Sequence, residues 1–293
     1  MKVFIFFVSL IFLISCSHDK KEIAFYHWKS RCEIKKDFDY PLYVKVLDIS
    51  KAKVIKTSCK KAHIPVVYID NQLFKTKKDI KSIVFKTIPK TFQKVQFDCD
   101  WTKSTKKRYF EFLKQMKKRY KKASVTLRLH QLKYPKQTGV PPVDSGVLMF
   151  YNMSDFLDPK TKNYVLDLEV AKSYLKDFKP YPLKLDLALP LYSMATILRY
   201  GKVVKLIDDV HSKELGSKFK HLHDNYYKVL KTHYFKGQLV YEDDVLRVDE
   251  VSIKTLKKAK EMIPFEYEKV IFFRYSNLKD WDVDKLSKLF DSP

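Results

Sequence analysis

The stretch KVQFDCDWTKST, residues 94–105, reads as a strand that closes on acids. Val95, Phe97 and Cys99 alternate with Gln96, Asp98 and Asp100, so the two-residue period of a strand gives one apolar face and one polar face. The run SVTLRLH (124–130) divides the same way, with Val125, Leu127 and Leu129 against Thr126, Arg128 and His130. Between them, residues 103–121 set Tyr109, Phe112, Leu113 and Met116 at helical spacing opposite a lysine-rich face, with Thr102 or Ser104 available as the N-cap. Strand, helix and strand in that order make a parallel pair. Its apolar faces suit outer helices, so its polar faces must point into a barrel, where a buried charge needs a partner. The register predicts Asp98 facing Arg128 as an internal ion pair, and Asp100 beside His130 one layer nearer the mouth.

Working outward, seven more short apolar runs complete a set of eight strands: 23–28, 42–49, 64–69, the 124–130 run above, 146–152, 183–189 and 269–275. Helical patterns fall at 76–87, 165–176, 214–231, 252–262 and 282–290, while 50–63 holds no obvious helix. Residues 194–207 read as a hairpin and 235–251 as a strand pair, both inserted between barrel elements. The pattern predicts a (β/α)8 TIM-like barrel with hairpin insertions; the alternative is an open doubly wound α/β sheet. A nucleotide-binding open sheet would want a glycine-rich turn after its first strand, and the chain has only 5 glycines and no such turn. With 293 residues, 45% hydrophobic, and no Pro/Gly/Ser-rich divider, residues 24–293 are expected to form one barrel domain.

The N-terminal residues MKVFIFFVSLIFLISC carry a lysine, an apolar run from Val3 to Ile14 and small Ser15 before Cys16, the organisation of a secretory signal. Leu13-Ile14-Ser15-Cys16 resembles the lipobox of bacterial lipoproteins. That resemblance implies removal of residues 1–15, lipidation of Cys16, a short tether to residue 23, and a body anchored to a membrane of the bacterial cell envelope. Such a compartment permits disulfides. Cys32 and Cys59 lie in polar, lysine-rich surroundings and are the pair to expect, leaving Cys99 inside its strand.

A net charge of +24 ordinarily raises nucleic acid as a partner, but here the positives are nearly all lysine and spread along the chain, with seven arginines. An AT-rich coding bias, or attraction to anionic headgroups or acidic polysaccharide, accounts for it better. No nucleic-acid partner and no cofactor are expected. His211, His221, His223 and His233 gather in one region without the i, i+4 spacing of a helical metal site, and read as a solvated helix surface.

In a barrel of this class the chemistry sits at the C-terminal ends of the strands. Those ends hold Trp28, the Asp98–Asp100–Trp101 cluster, Arg128, His130, Gln131, Tyr151, Asn152, Tyr192 and Arg274. Asp100 with His130 are the candidate reacting groups and Asp98 their catalytic support. Trp28, Trp101, Arg128, Gln131, Tyr151, Asn152, Tyr192 and Arg274 are candidate substrate contacts, the aromatics as stacking platforms for sugar faces. Two-carboxylate glycoside hydrolysis needs one acid held protonated and a second acid ionised. No strand end offers a convincing second carboxylate, which counts against hydrolysis.

The Asp98–Asp100 turn, Val143-Asp144, MFYNM at 149–153 and Ala188-Leu189-Pro190 with Tyr192 make residues 24–280 similar to an uncharacterised family of bacterial proteins, many of them lipoproteins, whose barrel looks like that of glycoside hydrolases. The resemblance implies a barrel and an exported address without supplying a reaction. The expectation is a lipid-anchored barrel that binds or hydrolyses a glycan; the rival is a non-catalytic binding or assembly component of the envelope.

Overall fold

A computed structural model describes residues 21–291, so the signal segment and Cys16 lie outside the described residues. In chain order its strands and helices are β1 (Glu22–His27), β2 (Leu42–Ile49), β3 (Val54–Lys56), β4 (Ile64–Ile69), α1 (Ile80–Thr87), β5 (Lys94–Asp98), α2 (Lys106–Arg119), β6 (Lys122–Leu127), α3 (Leu129–Lys133), α4 (Pro135–Thr138), β7 (Ser145–Met149), α5 (Leu168–Leu175), β8 (Lys184–Pro190), β9 (Met194–Arg199), β10 (Lys202–Asp208), β11 (Phe219–His223), β12 (Tyr226–Val229), β13 (His233–Phe235), β14 (Gln238–Val240), β15 (Val245–Asp249), α6 (Ile253–Glu261), β16 (Lys269–Phe273) and α7 (Val283–Asp291).

Eight strands pair in the order β1, β16, β8, β7, β6, β5, β4, β2, and β2 returns to β1, closing a parallel barrel. The (β/α)8 expectation holds and the open sheet does not. The first quarter is irregular as the sequence suggests: β3 lies antiparallel on the edge of β2 in place of a helix, and a Cys32–Cys59 disulfide ties the loops beside it. Cys99 is free and buried.

Alternation sets what faces where. Val95, Phe97 and Cys99 join Tyr109, Phe112, Leu113 and Met116 in the layer between sheet and helices. The barrel interior takes Tyr26, Tyr43, Val66, Val147, Met149 and Ala188, with Gln96 and Asp98 buried beside them. Truncating Leu113 in that outer layer costs about 2–5 kcal/mol, the usual range for a buried leucine.

Between β8 and α6 the chain leaves the barrel to build a five-stranded antiparallel sheet in the order β10, β9, β15, β12, β11, plus the β13–β14 hairpin. Residues 194–207 do form a hairpin. Residues 214–231, expected as a helix, instead form the β11–β12 hairpin, and its turn at Asp224-Asn225, with Asp224 at φ 43°, is a two-residue hairpin signal that outweighs the helical spacing around it. The 235–251 segment is likewise not one pair: β14 returns to β13 through Lys236-Gly237, both at positive φ, while β15 crosses to β9 and β12.

Candidate functional site at the barrel mouth

The mouth owes its shape to where the strands stop. β5 ends at Asp98, and a tight turn carries Cys99 and Trp101 outward, with the Trp101 N–H donating to the Cys99 carbonyl at 3.0 Å. The helix that follows starts at Lys106 rather than at 103. Thr105 occupies its cap position without a side-chain cap bond, because its Oγ1 accepts from the Thr102 N–H at 2.9 Å and donates to Asn71 Oδ1. The expected capping by Thr102 or Ser104 therefore does not occur.

β6 stops at Leu127, three residues before the strand end that the sequence pattern suggests. Leu129 already begins α3, and the Arg128 N–H donates to Gln131 Oε1 at 2.8 Å. Gln131 is thus a buried capping residue of this short helix rather than an open substrate contact. Leaving the strand frees the Arg128 side chain to swing to the mouth. There it grips Asp100 with two hydrogen bonds, Nε to Oδ1 at 2.8 Å and Nη2 to Oδ2 at 3.0 Å.

The predicted partnerships are therefore exchanged. Asp98 does not pair with Arg128; it accepts from Thr126 Oγ1 at 2.6 Å inside the barrel. Asp100 does not pair with His130; it is the arginine's fork partner. Burial, and then the neighbouring Asp100 charge, push the Asp98 carboxyl up to about 6. Burial works against the Arg128 charge, but the hydrogen bonds and charge of Asp100 overcome it and hold the guanidinium above its usual range. Burial, with Arg128 adding to it against Asp100, lowers His130, which keeps the imidazole neutral at physiological pH.

Over these groups opens a cavity of about 300 Å³. It is lined by Asp100, Trp101, Thr102, Arg128, Leu129, His130, Met149, Tyr151, Asn152, Met153 and Tyr174, and Asp100 is the one carboxylate among them. Seven of the candidate site residues gather here or at its edge, namely Asp100, Trp101, Arg128, His130, Tyr151, Asn152 and Tyr192. Tyr192 reaches it through its hydroxyl, which donates to Asn152 Oδ1. Asn152 sits at φ 51°, a conformation asparagine tolerates, and this turns its amide toward Tyr192.

The platforms are less open than the sequence suggests. Trp101 is 3% exposed, packs on Tyr109 and Phe110, and donates from Nε1 to the Thr138 carbonyl at 2.9 Å. Tyr151 stacks on Phe273 with centroids 5.2 Å apart, and both Tyr151 and Tyr192 are buried. Trp28 packs on Tyr26 and Phe273 under Lys45, outside the cavity lining. Arg274 turns to Asp208 of the insertion and to Asn277 Oδ1. The sequence does not single out Met149, Met153 and Tyr174 as lining residues, whereas Thr126 lies on the inward face as its alternation predicts. Met149 could have been found as the inward end of β7; Tyr174 comes from α5 and has no local signal.

This is a closed (β/α)8 barrel whose candidate site lies at the C-terminal ends of its strands. No protein-family model matches the chain, and no curated protein matches its sequence. Among solved structures it is similar to the spore cortex-lytic enzyme SleL of Bacillus cereus, at 15% identity over 92% of this chain and 73% of that one, TM-score 0.52. It is also similar to the GH18 chitinase ChiB of Flavobacterium johnsoniae, at 10% identity over 93% and 94%, TM-score 0.52. A third likeness is to catalytic domain 2 of the Group II chitinase of Ostrinia furnacalis, determined with (NAG)5, at 9% identity over 88% and 90%, TM-score 0.50. At these identities the likeness is one of fold.

Proposed function

We propose that this chain is a glycan-binding barrel of the bacterial cell envelope that holds an N-acetylated saccharide at the β5–β7 mouth without cutting it. One observation carries the reading: the one carboxylate that lines the mouth cavity, Asp100, is locked in a bidentate pair with Arg128. A leaving sugar oxygen must be protonated by an acid that is uncharged at working pH and within reach. Both carboxylate oxygens of Asp100 are engaged by Arg128, so neither is free to carry a proton to a sugar oxygen. Asp98 is protonated more readily but is buried on Thr126 and does not border the cavity. The next polar position, Thr102, supplies a hydroxyl hydrogen-bonded with Ser104 at 3.1 Å. What remains suits recognition: a planar charge pair, a neutral imidazole, the Asn152 amide, and tyrosine and methionine surfaces for a sugar's apolar face. The chitin- and cortex-directed names of the structural neighbours support an N-acetylglucosamine-containing ligand.

The test is calorimetric titration of the chain with N-acetylglucosamine oligomers and peptidoglycan fragments, alongside a reducing-end assay. Binding without release of reducing ends is expected. Turnover that Asp100→Asn abolishes would overturn the non-catalytic reading, and failure to bind any of these glycans would overturn the ligand class. Anchoring through Cys16 belongs to the same proposal, since several acyl chains at about 0.8 kcal/mol per buried CH₂ give durable attachment. Cys16→Ser is expected to move the chain from the membrane to the soluble fraction and to abolish incorporation of labelled palmitate.

A further inference from the structure

Where the inserted sheet rejoins the barrel, Asp209, His211 and Asp280 bring three ligand atoms within 4.8 Å of one another. Asp209 and His211 follow β10, whereas Asp280 lies in the turn after β16. We propose that they form a site for a divalent transition-metal ion of zinc type, which clamps the insertion against the barrel.

The imidazole argues for it first. His211 Nδ1 lies 3.1 Å from Glu250 Oε1, and the other oxygen of Glu250 accepts the Ser212 N–H at 3.1 Å. A carboxylate fixed in this way accepts a hydrogen bond from Nδ1–H and so places the Nε2 lone pair toward the acids, the orientation that metal-bound histidines show. Nε2 then faces both acids, 3.9 Å from Asp209 Oδ1 and 3.9 Å from Asp280 Oδ2. Asp209 is itself held, because the Asn277 amide donates to its Oδ1 at 2.6 Å.

Charge and distance agree with a divalent ion. Two carboxylates supply the two negative charges that balance it, and a nitrogen ligand favours a transition metal over calcium or magnesium. Donors at zinc's bond lengths of about 2.0–2.2 Å stand about 3.3–3.6 Å apart in a tetrahedron, so each acid needs to close on the imidazole nitrogen by only a fraction of an ångström. Ser193 Oγ, 3.3 Å from Nε2, or a water can complete the set. Two lysines lie near. Lys279 approaches Asp209 Oδ2 at 3.5 Å, and Lys236 binds the Asp209 carbonyl and Glu214; neither bonds Asp280. Asp209 and His211 are half-buried and Asp280 is exposed, which leaves a path from solvent.

The experiment is calorimetric titration of the chelator-treated full chain with ZnCl₂, with thermal unfolding measured in parallel. One site per chain and a Tm rise of about 5 °C at a hundredfold excess over Kd are expected. His211→Gln and Asp280→Asn should each weaken zinc at least tenfold. Asp280→Asn keeps the shape of a partly exposed side chain, so it reports even where His211→Gln disturbs the Glu250 contact. No one-site isotherm in the native chain, an isotherm unchanged in both variants, or an equal Tm rise with MgCl₂ would overturn the proposal. These readouts are independent of glycan binding.

Discussion

Two carboxylate centres among the described residues, at the barrel mouth and at its junction with the insertion, are built on opposite electrostatic plans. At the mouth one exposed acid, Asp100, is matched by a planar guanidinium on the adjacent strand end. At the junction of barrel and insertion, two acids and an imidazole face one another with Lys279 3.5 Å from Asp209 alone, while Arg274 is committed to Asp208 and Asn277. A carboxylate gripped on both oxygens can read hydroxyl and amide groups but has no free oxygen to carry a proton. An under-neutralised cluster recruits a cation. The same residue types therefore support recognition in one place and ion capture in the other, and the difference lies in where arginine is spent.

Removing that arginine breaks the contrast most directly. Arg128→Ala leaves Asp100 as a bare carboxylate in the cavity, so N-acetylglucosamine oligomer affinity should fall roughly hundredfold, the range for loss of charged hydrogen bonds. The measurement is Kd by calorimetry. Asp100→Asn in the same background should restore part of the stability lost in Arg128→Ala while leaving the affinity low. An affinity unchanged in Arg128→Ala would show that the pair is structural only.

A second test separates Asp98 from Asp100. Asp98 has a raised pKa, near 6 against 3.8, so the folded chain holds its proton more tightly than the unfolded chain does. Its contribution to stability is full below the unfolded value and is lost as pH rises to about 6. Asp98→Asn keeps an acceptor for Thr126 without the charge. It should therefore unfold later than the native chain at pH 7.5, with an advantage about 1–2 kcal/mol larger than at pH 4.5. Urea denaturation at the two pH values checks this. Asp186 and Asp249, also pushed up to about 6 by burial, titrate in both proteins and cancel in the difference.

All eight barrel strands were legible because each is a short apolar run whose alternate residues meet two different environments, and that pattern is local. The pairing at the mouth was not. Reading β6 on to His130 places Arg128 opposite Asp98, but the Arg128–Gln131 capping interaction ends the strand at Leu127 and frees the arginine to reach Asp100. A change of a few residues at a strand end thus exchanges two ion partners. The insertion departs from its sequence pattern for a related reason: the Asp224-Asn225 turn is present in the sequence, but helical spacing across 214–231 competes with it, and only pairing of β12 with β15 decides between them. The Asp209–His211–Asp280 cluster had no sequence signature at all, since some seventy residues separate its members and tertiary packing alone joins them.

The smallest expected effect concerns the aromatic wall that separates the mouth from the junction. Tyr192 donates to Asn152 at the cavity, lies edge-on to Phe273 with centroids 5.7 Å apart, and has Arg274 6.0 Å over its ring. Burial raises its hydroxyl pKa far above the ordinary range, so across physiological pH it acts as a neutral donor. Tyr192→Phe keeps the ring and both packing contacts and deletes one hydrogen bond. The expected loss is about 1 kcal/mol of stability and a fewfold weaker glycan affinity, because the Asn152 amide is no longer held. Zinc affinity at the junction should not change. A Tyr192→Phe chain that loses zinc binding along with glycan binding would mean the two centres are coupled through this ring, and the contrast between them would have to be redrawn as one extended site.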